Sequence, residues 1–167
     1  AMQLEGLDIF RSSQGERSEG VGMTLGNIAL TLLAQGKYEE ALARLDEAQS
    51  ILTETSGAED PNVASVLSNK GNCLCGLGRL DEARAMYEEA LRISRIAHGD
   101  DSIDVAASLN NLGSILSNTG MLSEARANYE EALGVCRRVH GERHPDVAAA
   151  FNNIACVLRK QGQHDEA

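Results

Sequence analysis

The sequence predicts an all-α fold, a solenoid of stacked antiparallel helix pairs with about eight helices. The first sign is an internal period. Val21, Val63, Val105 and Val147 stand 42 residues apart, as do Asn27, Asn69, Asn111 and Asn153, and Gly36, Gly78, Gly120 and Gly162. Periods of this length mark units that bury their apolar faces only by stacking on neighbours. The second is composition. Hydrophobic residues make up 43% of the 167, aromatics only 3%, and there is no Trp. Such a core is filled by Leu, Ala, Ile and Val, which suits close-packed helices. The third is the presence of only two prolines, so helices can run uninterrupted.

The leading segment 1–20 contains "LEGLDIF" at 4–10, which falls where the second helix of a preceding unit belongs, and Gly15 matches the Gly57, Gly99 and Gly141 series. Full units follow at 21–62, 63–104 and 105–146, and residues 147–167 form the first helix and turn of a fourth. The chain thus reads as one continuous domain, a stretch of a longer array.

Each unit reads as two helices. In the third, the first helix covers about 105–118 and places Leu109, Leu112, Ile115 and Leu116 on one face. Asn62, Asp104 and Asp146 stand just before these first helices, positions that suit a side chain accepting from free backbone N–H groups. Gly120 and its equivalents end them in the left-handed conformation. The second helix, about 122–139, turns Ala125, Tyr129, Ala132 and Leu133 inward. Its acids come early (Glu124, Glu130, Glu131) and its bases late (Arg137, Arg138), in accord with the helix dipole. Alanines at 41, 83, 125 and 167, and at 48, 90 and 132, let helices approach closely, with Tyr87 and Tyr129 filling the space between them.

Leu112-Gly113, Gly120, Ala125, Tyr129 and Ala132 resemble the tetratricopeptide repeat (TPR). The 42-residue period, "LNNLG" at 109–113 and "HGERHPDVA" at 140–148 resemble the kinesin-light-chain type of that repeat, and the resemblance covers essentially the whole chain. It implies a TPR superhelix and a non-catalytic role in protein binding. Two positions depart from the pattern. Lys70 occupies the slot of Ile28, Leu112 and Ile154, so its ammonium either snorkels outward or reaches into the groove. His164 replaces the Tyr38, Leu80 and Leu122 series.

Several function classes are set aside. A net charge of −10 argues against nucleic acid, which calls for a basic footprint. The longest apolar run, 28–34, is too short to insert across a membrane. Cys73, Cys75, Cys136 and Cys156 do not make a disulfide scaffold and suggest a reducing, cytoplasmic setting. "GNCLCGLGR" at 71–79 lacks the lysine and hydroxyl of a phosphate loop. Cys73 and Cys75, two apart on a helix, point in different directions. His140 and His144 sit four apart in an inter-unit loop that matches the family's loop habit, and are read as structural. The acid pairs Glu39-Glu40, Glu88-Glu89 and Glu130-Glu131 are read as solvated outer faces. No catalytic residue, metal site or cofactor is expected.

The concave surface of a helical solenoid is where such proteins usually bind. The family resemblance implies that the first helix of each pair lines it. Residues 21–35 and 105–119 carry no charged side chain, 63–77 carry only Lys70, and 147–161 only Arg159 and Lys160. Carried over from the family, the groove positions are Met23, Gly26, Leu30, Leu33 and Ala34 in the first unit. In the second they are Ser65, Ser68, Asn72, Cys75 and Gly76. The third gives Ala107, Asn110, Ser114, Ser117 and Asn118, and the last Ala149, Asn152, Cys156, Arg159 and Lys160. This grading, from apolar through amide to cationic, points to an extended peptide with an apolar side chain and a carboxylate, and the resemblance to kinesin-light-chain repeats implies a bulky aromatic with acidic residues. An adaptor or scaffold role follows. Two alternatives stand beside it: a segment that self-associates end to end, and the sensor arm of a larger signalling protein.

Overall fold

The computed structural model describes residues 2–162, with the side chains of 2–5 and 14 left aside; His164 and Ala167 lie outside the described residues. Among the described residues there are eight helices: α1 (Met2–Gln14), α2 (Glu19–Ala34), α3 (Tyr38–Ser56), α4 (Pro61–Gly76), α5 (Leu80–His98), α6 (Ile103–Asn118), α7 (Leu122–His140) and α8 (Pro145–Lys160).

Every turn is punctuated by glycine. Gly15, Gly36, Gly57, Gly78, Gly99, Gly120, Gly141 and Gly162 all have positive φ, at intervals of 21 residues, and no described non-glycine residue shares that conformation. At Gly36 (φ +73°) and Gly57 (φ +100°) a Cβ would meet no neighbour within 4 Å, so the backbone conformation alone selects glycine.

The chain divides into two compact units, residues 1–93 and 94–167, with α5 passing from one to the other. In the first, α1 packs on α2, α2 on α3 and α4, and α3 on α4. Its core is formed by Val21, Leu25, Ala29, Ala41, Leu45, Ala48, Ile51 and Leu52, with Val63, Val66, Leu67 and Tyr87. In the second, α6 packs on α7 and α7 on α8. Its core comprises Val105, Leu109, Ile115, Leu116, Ala125, Tyr129, Ala132, Val135, Val147 and Val157. The recurring alanines are fully buried at 41, 83 and 125 and again at 48, 90 and 132.

The caps differ from those expected. Asn62, Asp104 and Asp146 do not cap; they lie in the first turn, and the cap is two residues earlier. Asp60 accepts from the Asn62 N–H at 2.8 Å, Ser102 from the Val105 N–H at 3.2 Å, and His144 Nδ1 from the Asp146 N–H at 3.3 Å. Pro61 and Pro145 explain the shift for α4 and α8. Proline's set φ and missing N–H favour the first helical position, so the helix begins there.

Lys70 runs toward α3, its side chain 16% exposed. Its Nζ pairs with Asp46 Oδ1 at 2.7 Å and donates to Gln49 Oε1 at 2.9 Å, so the stem fills the apolar slot while the ammonium is held by α3.

Two of the long-range ion pairs recur two repeats on. Arg11 pairs with Glu47, and Arg95 with Glu131, 84 residues further on. Arg17–Glu54 and Asp101–Arg138 are likewise 84 apart, but with the charges exchanged.

Candidate functional site

In the first unit, residues of α2, α3 and α4 enclose a cleft of about 140 Å³. Gly22, Met23, Gly26, Leu30, Leu52 and Val66 give it an apolar floor, and Asn27, Asn62, Ser65 and Asn69 an amide and hydroxyl rim. Gly22 and Gly26 open the space by carrying no side chain. Met23 and Leu30 are 49% and 44% exposed, high for large apolar residues in a core-forming helix. Leu33 and Ser68 are half-buried. The cleft's lining carries no charged side chain. Asn27 and Asn69, which recur in every unit and so look like packing residues, lie on its rim; recurrence concealed them.

Asn72 and Ser114, expected to face a ligand, are exposed, and each also meets a buried tyrosine hydroxyl. The Tyr87 hydroxyl donates to Asn72 Oδ1 at 2.7 Å, and Cys75 Sγ lies 3.7 Å from the same hydroxyl. Ser114 is hydrogen-bonded to the Tyr129 phenol. Burial pushes both phenols above the ordinary range, with Cys75 adding to the shift at Tyr87 and the Ser114 bond offsetting it at Tyr129. In the repeat 21–62 the equivalents of Tyr87 and Asn72 are Leu45 and Leu30: with no hydroxyl to satisfy, no polar partner is needed.

In the second unit, Asn118 and Asn152 are exposed and Asn110 is half-buried, its Oδ1 accepting from Asn153 Nδ2 at 3.4 Å. Lys160 Nζ donates to Ser117 Oγ at 2.8 Å, and Arg159 Nη2 to Cys156 Sγ at 3.2 Å. Among the described residues no carboxylate pairs with either cation, which sets them apart from the many arginines held by Glu or Asp elsewhere. No described helix is long and apolar enough to cross a membrane.

Paired helices of near-constant length, glycine turns at a constant interval and a charge-poor face on the first helix of each pair define a helix-pair repeat protein, an all-α solenoid by class. The family model of the tetratricopeptide repeat matches residues 1–54, 20–96, 62–137 and 104–167, so the chain belongs to the tetratricopeptide repeat family. No curated protein matches it at a significant level. Among solved structures it is similar to BtubC (BKLC) from P. vanneervenii, with 23% identity over 99% of this chain and a TM-score of 0.85. It spans 66% of that protein's length. It is also similar to a Podosopora anserina protein described as a putative kinesin light chain with nearly identical TPR-like repeats. There the identity is 18%, coverage is 99% of this chain and 78% of that one, and the TM-score is 0.80, or 0.82 for a point variant of the same protein. At these identities the likeness is one of fold. Repeats of this family generally serve protein–protein interaction.

Proposed function

We propose that the chain is a non-catalytic adaptor or scaffold module whose first-helix faces take extended peptide segments carrying aromatic and acidic residues. The observation that carries this reading is the charge-free cleft of the first unit, with Met23 and Leu30 exposed above an amide rim, in a chain of net charge −10. A bulky apolar side chain gains by leaving water for such a floor. Asn27, Asn62 and Asn69 can donate to or accept from a peptide backbone without demanding a particular sequence. In the second unit, Arg159 and Lys160 suit a carboxylate, and a bond to it from either cation is stronger than a neutral one. The cysteines are all free, which supports a reducing, cytoplasmic setting.

Because the chain has no Trp, a peptide with one Trp flanked by Asp and Glu reports its own binding by fluorescence. A saturable blue shift that weakens with salt is expected. The double variant Arg159→Glu, Lys160→Glu should bind the peptide at least about tenfold more weakly with helicity unchanged. Unchanged affinity in that variant removes the cationic residues from the site. No fluorescence change at high protein concentration removes the aromatic and acidic peptide as the ligand class.

A further inference from the structure

The loop joining α7 to α8 brings two imidazoles and a carboxylate together. His140 closes α7, His144 precedes Pro145, and Asp146 lies in the first turn of α8. Their donor atoms all fall within 4.8 Å of one another. Asp146 Oδ2 stands 3.4 Å from His140 Nε2 and 3.2 Å from His144 Nδ1. Two ligands on one tetrahedral zinc, each about 2.0–2.1 Å from the metal, are about 3.3 Å apart, so both separations are those of neighbouring ligands around a single ion.

We propose that His140, His144 and Asp146 form a binding site for a divalent transition metal of the zinc class, with three protein ligands and a fourth position open to water. Neutral imidazole nitrogens and a carboxylate are donors such an ion accepts.

The equivalent loops act as internal controls. At the loop before α4 the same positions hold Ser56, Asp60 and Asn62, with no imidazole. Before α6 they hold His98, Ser102 and Asp104, where His98 Nε2 lies 3.7 Å from Asp104 Oδ2 and no second ring is present. Asp60 and Ser102 cap their helices at 2.8 and 3.2 Å, whereas His144 does so at 3.3 Å. The fold thus forms the same turn without either histidine, and His144 is no better a cap than what it replaces.

The local bonding also asks for a cation. His144 Nδ1 meets the Asp146 N–H, which requires a lone pair, and the Asp146 carboxylate, which favours a proton. A metal ion that takes this lone pair would replace the Asp146 N–H there, breaking the cap bond, and would bring its charge to the carboxylate. The two rings are stacked, with centroids 4.0 Å apart and planes 21° apart, so His140 tilts out of the stack on binding.

The test titrates the purified chain, under reducing conditions, with Zn²⁺ alone against a chromophoric chelator, and with Co²⁺ as a spectroscopic probe. Uptake of one ion per chain and the visible absorption of tetrahedral Co²⁺ are expected. His144→Ser, which installs the cap found at Ser102, and Asp146→Asn should each weaken uptake at least about tenfold while helicity is retained. His98→Gln should leave uptake unchanged. No uptake overturns the proposal, as does uptake that His144→Ser and Asp146→Asn leave unaltered, since the metal would then sit on the thiols or elsewhere.

Discussion

The ring of Tyr87 packs against the backbone of Gly71: a Cβ built on that glycine would stand 2.5 Å from Tyr87 Cε1. The same contact recurs at Gly113 and Tyr129, with a Cβ at 2.8 Å. The hydroxyls of both tyrosines are met by the residue following the glycine, Asn72 or Ser114. In the repeat 21–62 all three members change together, to Ala29, Leu30 and Leu45. A tyrosine in the second helix thus demands a missing methyl and a polar neighbour in the first, and a leucine demands neither.

Gly113→Ala should therefore destabilise the protein by about 1–3 kcal/mol, since a buried ring has nowhere to move. Gly26→Ala makes the same change in α2, where a Cβ meets nothing within 4 Å, and should stabilise by about 0.5–1 kcal/mol through helix propensity. Urea denaturation of the two variants should give opposite signs. The triple variant Gly113→Ala, Ser114→Leu, Tyr129→Leu, which copies the first unit, should recover most of the loss.

Lys70→Leu should leave stability unchanged or raise it by up to about 1 kcal/mol. The lysine side chain is only 16% exposed, and its partner Asp46 is left in water at 65% exposure, so removing the lysine strands no buried charge. The equivalent slots already hold Ile28 and Leu112 in the core. A loss above about 2 kcal/mol in thermal unfolding would show that the link to α3 contributes more than an apolar fill.

Tyr87 gives the chain an alkaline limit. Its phenol is held above its ordinary value of about 10 in the folded state, so at high pH the unfolded chain loses this proton while the folded one keeps it. The stabilisation is complete below pH about 10 and is lost as pH rises towards the folded value. The burial-raised thiols of Cys73 and Cys136 act in the same direction. Denaturation midpoints measured from pH 8 to 11 should fall more steeply for the native sequence than for Tyr87→Phe.

The four thiols should react at very different rates. Cys156 is exposed, Cys75 half-buried, and Cys73 and Cys136 are buried with thiols pushed upward by burial. With a chromogenic disulfide reagent at neutral pH, the fast phase should belong to Cys156 and vanish in Cys156→Ser. Cys73 and Cys136 should react only on unfolding.

The period, the pairing of helices and the glycine turns were legible in the sequence because each is repeated and each follows from backbone geometry. The inward alanines and tyrosines were legible for the same reason. What escaped depends on side-chain reach. Two of the three caps were displaced where Pro61 and Pro145 set the helix start, and α6 begins at the same offset, at Ile103, without a proline. The direction of Lys70 depends on Asp46 and Gln49 in another helix. Asn72 and Ser114 are exposed and differ between repeats, but their variation also follows Tyr87 and Tyr129, a link the sequence reading did not include. That link joins two helices, and only the comparison with Leu30 and Leu45 betrays it.

The eight glycines at intervals of 21 residues act as a reading frame for shape. Inserting one residue into any helix rotates everything beyond it by about 100° around the helix axis, turning the buried alanines outward before the next glycine arrives. Such a lesion is a structural frameshift, and no surface loop absorbs it, because the turns between helices are only a few residues long. Change in length is therefore quantised. An array of this kind lengthens or shortens by whole 42-residue modules, while its point substitutions stay free to alter what each module presents.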